Sequence, residues 1–174
     1  ERAEIKDAVS YLRIIYQKFD DLALERVIGV PKRGVGESTL NQIYTFGKSN
    51  KLCLEDSIMK LIEKGDFKPK IKSSLGQLIK MIQKWRNDSV TMKHFDLLRL
   101  VLDESGYSSM LKNKKDLENE NRLENIKELL SSMKEFDNLE SFLEHVSLAT
   151  SIDQNWEGEK VNLMTMHASK GLEF

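Results

Sequence analysis

Gly34 and Gly36 stand two residues apart in PKRGVGESTL, behind Lys32 and Arg33 and ahead of Ser38, Thr39 and Leu40. Two glycines so spaced let the backbone turn sharply and approach another molecule with no side chain in the way. If a helix begins just after them, its exposed amides form a positive end that favours an anion, and the two basic residues add charge. The chemistry on offer is a grip on phosphate that ignores base sequence, because backbone contacts position a protein on a nucleic acid without reading it. A plain interhelical turn with incidental basic neighbours fits these residues equally well.

Other candidate chemistry is weaker. GVGEST opens like a dinucleotide fingerprint, but no strand precedes it and Thr39 replaces the third glycine. QIYTFGKS, from Gln42 to Ser49, resembles the end of a phosphate-wrapping GxxxxGK[ST] loop. Gln42 stands where the first glycine belongs, and its surroundings read as helix, so the end of a helix is the better reading. The three histidines, His94, His145 and His167, lack metal-ligand spacing, and with Cys53 the only cysteine a zinc site is not expected. No strand-turn-helix elbow supports a nucleophilic triad. Cys53 beside Leu52 and Leu54 reads as a small, buried apolar residue of a reducing compartment.

Helices must position these residues. Ile5, Ala8, Val9, Leu12, Ile15 and Tyr16 follow a three-four rhythm, predicting a first helix from about Ala3 to Gln17. Leu22, Ala23, Val27 and Ile28 predict a short second helix, stopped by Gly29 and Pro31. Ser38 is placed to cap a third helix bearing Leu40, Ile43 and Tyr44, with Gly47 near its end, and Leu54 to Ile62 a fourth, closed by Gly65. Pro69 begins the longest stripe, Ile71 to Trp85. Phe95 to Leu102 follows and is closed by Gly106, then Leu123 to Phe136, then Leu139 to Val146. Each apolar face needs a partner, so the expectation is an all-α domain of about eight helices with a glycine hairpin between two of them.

After the polar stretch TSIDQNWEGEK the rhythm changes. Val161 to Met166 alternates and predicts one β-strand near the C-terminus, whose backbone groups need a neighbouring strand that the chain does not offer. The 174 residues, 40% of them hydrophobic, suffice for one domain with a core and carry a net charge of −1, so bulk electrostatics do not announce nucleic acid. Charge is nevertheless segregated, with lysines prominent from Lys60 to Arg86 and acids from Asp116 to Glu144. No run is apolar and long enough for a membrane span and no export leader is read, so a cytoplasmic, nucleoid-associated location is expected.

VNLMTMHASKGLEF at the end of the chain closely resembles motif V of superfamily 1 helicases of the UvrD, Rep and PcrA type, with Ser169 where alanine is common. ERAEIKDAVSYLRII resembles that family's segment after motif IV, and VIGVPKRGVGESTL its glycine hairpin. The three matches occur in the family's order and span the chain.

What the resemblance implies is specific. Residues 18–155 would be the helical 2B insertion subdomain, residues 1–17 a stub of the second RecA-like domain leading into helix one, and residues 156–174 the return strand and motif V stub of that domain. The strand lacks its sheet because the sheet belongs to the rest of a longer chain. Lys32, Arg33, Gly34, Val35, Gly36 and Thr39 would lie against duplex phosphates ahead of the fork. Thr165 and His167 would meet the translocating single strand, and Glu173 the nucleotide ribose, while Lys170 and Gly171 share the block without an assigned role. Arg2, Glu4 and Lys6 would be structural or interdomain.

The parent would be an ATP-dependent 3′ to 5′ DNA helicase of repair or replication, using ATP and Mg. This chain lacks the Walker motifs and the arginine-bearing motif VI, so no cofactor and no catalytic residue is expected in it, and alone it would not hydrolyse ATP. Expected partners are DNA, the rest of the motor and repair proteins, with no membrane. Two alternatives stand beside this reading. One is a helical protein-interaction or autoinhibitory module without direct DNA contact. The other is the nuclease-fused relatives, ranked lower because no nuclease carboxylate-lysine cluster is present.

Overall fold

A computed structural model describes residues 2–113 and 117–152, the side chains as far as residue 149. The described residues form helices α1 (Ala3–Tyr16), α2 (Asp21–Gly29), α3 (Glu37–Asn50), α4 (Leu54–Lys64), α5 (Pro69–Asp88), α6 (His94–Glu104), α7 (Tyr107–Asn113), α8 (Leu117–Ser132) and α9 (Leu139–Ile152), with a 3-10 turn at Met133–Glu135. The expected all-α class is what is found. The strand expected at 161–166 lies outside the described residues.

The apolar stripes meet around α1, which packs against α2, α5, α6, α8 and α9. Ala8, Tyr11, Leu12, Ile14 and Ile15 are buried there, and Tyr11 meets Trp85 of α5 and Tyr107 of α7 edge-on, with ring centroids 5.9 and 6.3 Å apart. Such edge-to-face pairs add specific geometry to large buried areas. Residues 3–16 are therefore the centre of the helical body. The stripe drawn from sequence is corrected at two places. Tyr16 and Leu22 are exposed, because α1 and α2 turn those edges to solvent, and Tyr11 occupies the core instead.

Polar groups lock the helices in register. Glu55, buried at the start of α4, receives both arms of Arg86 at 2.7 Å, and Arg86 also donates to the carbonyl of Ile14 at the end of α1. Asp7 of α1 takes the hydroxyl of Tyr107 at 2.7 Å and the guanidinium of Arg26 at 2.6 Å. Its carboxylate, with burial, holds the Tyr107 hydroxyl well above its usual pKa, burial being the larger cause. Asp20 caps α2 by accepting from the amide of Ala23 and binds Arg13. Buried charge is tolerated because each such group is paired and hydrogen-bonded.

One short helix, α7, was not expected. Gly106 at φ +81° ends α6, and α7 starts at once with Tyr107 and Leu111 buried on one face. The following helix starts at Leu117 rather than near Leu123 and passes into the 3-10 turn before Phe136.

Candidate nucleic-acid interface

The segment between α2 and α3 is built outward from the core. Val30, the C-terminal cap of α2, accepts the hydroxyl of Tyr11 at 3.0 Å, which fastens the start of the loop to the centre of the bundle. The Val30–Pro31 peptide bond is cis. Arg33 then turns back toward the bundle. Its guanidinium donates to the carbonyls of Val27 and Pro31 and, at 3.0 Å, to the Tyr11 oxygen, while its own carbonyl accepts from Ser74 Oγ of α5 at 3.0 Å. The loop base is thereby pinned to α1, α2 and α5.

Beyond that base the chain faces solvent. Gly34 takes φ +76°, a left-handed backbone that glycine adopts at little cost, and reverses the direction of the loop. Gly36 is the N-cap of α3, with extended backbone at φ −99°. Gly34 and Gly36 are both exposed, and a Cβ built on either would meet no atom within 4 Å. Glycine at 36 is therefore required neither by local strain nor by packing within the molecule.

The amides give this open space its character. Thr39 and Leu40 donate to the carbonyl of Gly36, each at 3.1 Å, which closes the first turn of α3. Among the described residues, the amides of Gly34, Val35, Gly36, Glu37 and Ser38 donate to no protein acceptor. They are the unsatisfied donors of a helix start plus two from the turn before it, so their partial positive charge faces water. Ser38 was expected to cap α3. It sits instead at the second helical position, and α3 has no side-chain cap. That leaves the donors available. Glu37, exposed in the first turn, opposes an incoming anion with its own charge.

The residues singled out from sequence thus divide. Lys32, Gly34 and Gly36 are exposed, and Val35 and Thr39 are half-buried beside them. Arg33 is in the same loop but holds it to the bundle, so its charge is engaged within the protein. Tyr11 and Ser74 position the loop and were missed from sequence, because a hydroxyl partner 19 or 41 residues away leaves no local pattern. Thr165, His167 and Glu173 lie outside the described residues.

The Walker-like segment has a different explanation. Gln42 to Ser49 is interior to α3, and a Cβ on Gly47 would come within 2.7 Å of Ser57 Oγ and 3.0 Å of the Leu52 carbonyl. Glycine there lets α3 and α4 approach closely, and it cradles no phosphate. Among the described residues no group of three or more His, Cys, Asp or Glu could hold a metal ion, and no helix is long and apolar enough to cross a membrane.

Comparison with known proteins gives a consistent set. A family model described as the UvrD-like helicase C-terminal domain matches residues 1–174. The chain is similar, at 40% identity over 177 residues, to a Rickettsia typhi protein named DNA helicase II, covering all of the chain and 27% of that protein. It is 37% identical to a probable DNA helicase II homolog of Rickettsia felis, again over 27% of the relative's length. A Staphylococcus epidermidis protein named ATP-dependent DNA helicase PcrA is 36% identical over 182 residues, with all of the chain and 25% of that protein covered. The chain spans about a quarter of the length of the curated relatives it matches.

Proposed function

The chain belongs to the UvrD-like helicase C-terminal domain family, and from that membership we propose that it is the duplex-contacting, regulatory helical subdomain of an ATP-dependent 3′ to 5′ DNA helicase. The observation that carries the reading is the exposed run of undonated amides from Gly34 to Ser38, pinned at its base by Arg33 and Tyr11. Phosphate oxygens of a duplex backbone fit those donors, with Lys32 adding attraction. In the parent, residues 3–155, with α1 included because it is the centre of the helical body, form the 2B subdomain in place of the expected 18–155, and residues 156–174 belong to the second RecA-like domain, with Thr165 and His167 on the single strand and Glu173 at the nucleotide. ATP and Mg belong to the remainder of that protein. The Walker-like segment of α3 is not a nucleotide cradle, since Gly47 is packed against Ser57.

In this reading the subdomain acts mechanically. The motor steps along one strand while the hairpin holds the duplex by its backbone, and a change in the orientation of the helical body engages or releases that hold. A single hairpin makes few phosphate contacts and Glu37 opposes them, so binding by the chain alone should be weak, with Kd on the order of 10⁻⁴ to 10⁻⁶ M at physiological salt. Fluorescence anisotropy with a labelled duplex, titrated in salt, tests this. Gly36→Leu fills the approach without backbone strain and should weaken binding at least tenfold. Equal affinity of the two proteins at every salt concentration would remove the hairpin from the mechanism.

A further inference from the structure

A second concavity lies at the far end of α5, away from the hairpin. Ser74, which touches the hairpin base, and Ser89, on the rim of this concavity, are fifteen residues apart along one helix, or about 22 Å. The notch has a volume of about 440 Å3 and is formed by the α5–α6 connection and by the segment from Lys134 to Leu139. Its floor is fixed. His94 is buried with Nε2 2.6 Å from the Met133 carbonyl, and Phe136 packs edge-on against Phe142 with ring centroids 5.4 Å apart.

Two features of the rim face outward. Lys93 and Lys134 converge on the ring of Phe95, their ammonium groups 5.9 and 5.6 Å from its centroid. Neither is paired with a carboxylate among the described residues, so two like charges share one aromatic ring. Beside them Val90 is 82% exposed and Met92 is 36% exposed. Paired cations next to exposed apolar side chains are complementary to a chain carrying carboxylates next to an apolar residue.

We propose that this notch docks an acidic peptide segment of a partner protein, with its carboxylates on Lys93 and Lys134 and a leucine or phenylalanine against Val90 and Met92. A nucleic acid fits less well. Its evenly spaced negative charge would run past Asp137 on the same rim, and the lysines already lie over the ring on which a base would stack. A peptide can instead place an uncharged residue opposite Asp137. The distance from the hairpin lets this site be filled while the hairpin is engaged.

The test uses the 174-residue chain and six fluorescein-labelled synthetic peptides of twelve residues, in which Asp and Glu flank one Leu or Phe at different spacings. At least one should give saturable anisotropy. Its affinity should fall at least tenfold with K93E/K134E and with the same peptide carrying Asn and Gln instead of the acids. Gly36→Leu should leave it unchanged, which separates this site from the hairpin. Both lysines are exposed, and an unchanged melting temperature verifies that the double variant folds. No binding by any of the six peptides, or equal binding by K93E/K134E, overturns the proposal. A twelve-nucleotide single strand that loses affinity with K93E/K134E, while no peptide does, would assign the notch to nucleic acid.

Discussion

Two groups of charged and polar residues behave in opposite ways. Around α1, Asp7, Arg26, Tyr107, Glu55 and Arg86 are turned inward and paired with one another. On the α2–α3 loop, Lys32 and the amides of Gly34 to Ser38 face water without a protein partner. Arg33 marks the boundary, since it is adjacent to Lys32 in sequence yet its guanidinium belongs to the interior group. Residue type does not decide which charge holds the fold and which is offered outward. Burial and available acceptors do, and the interior set keeps the loop base fixed so that its tip can project.

Substitutions that break this division should scale with how much is left unpaired. The largest effect is expected for Arg86→Ala, which abandons the carboxylate of Glu55 in the core, along with the Ile14 carbonyl. Removing one member of a buried pair costs about 3 to 5 kcal/mol. Urea unfolding should report that loss, and a change below about 1 kcal/mol would mean that water satisfies Glu55 and the interior group is softer than described.

Arg33→Ala comes next, with an expected loss of about 1 to 3 kcal/mol from the carbonyls and the Tyr11 hydroxyl left without their donor. Lys32→Ala should leave stability within about 0.5 kcal/mol, as for surface residues generally. Their DNA phenotypes sharpen the comparison. Lys32→Ala should reduce the slope of log affinity against log salt by about 1, the signature of one lost phosphate contact. Arg33→Ala should weaken binding through disorder of the loop, and replacing Tyr11 with Phe should do so in the same direction.

Smaller and opposite in sign is Glu37→Gln. Removing a carboxylate from an exposed helix start changes its interaction with an anion by about 0.3 to 1 kcal/mol. Duplex binding should tighten by roughly two- to fivefold, readable by anisotropy at low salt. Weaker binding by this variant would mean that the phosphate sits elsewhere.

The smallest expected effect is a pH dependence outside both regions. The Lys84 ammonium at 2.7 Å holds the Glu104 carboxyl below its usual range, helped by the indole NH of Trp85, and burial works against them. Its folded value is depressed, so its contribution is present above the ordinary carboxylate range and is lost as pH falls through the folded value. Thermal melting of the wild type and Glu104→Gln should therefore differ at neutral pH and converge below about pH 4. A difference that persists unchanged to lower pH would contradict this assignment.

Most of the scaffold was legible because periodicity reports burial directly. In the stripe from Ile71 to Trp85 the residues from Leu75 onward are buried and Ile71 is half-buried, and in the stripe from Phe95 to Leu102 Leu98, Val101 and Leu102 are buried and Phe95 is half-buried. The seven residues of α7 escaped because two turns give too short a rhythm, and because Gly106 reads as an end whether or not another helix follows. The glycine hairpin was legible as a turn with open backbone. Its anchoring was not, since the contacts of Arg33 with Val27 and Tyr11 depend on how α1 and α2 pack. The same holds for Lys93 and Lys134, which meet at Phe95 from two elements 41 residues apart in sequence.

The most direct measurement is an amide nitrogen-proton correlation spectrum of the chain titrated with a short duplex at low salt. The account predicts that the resonances of Gly34, Val35, Gly36, Glu37 and Ser38 shift first and furthest, and that added salt reverses the shift. If those five amides stay in place while others move, or if saturating duplex moves none, the hairpin is not the surface that meets DNA.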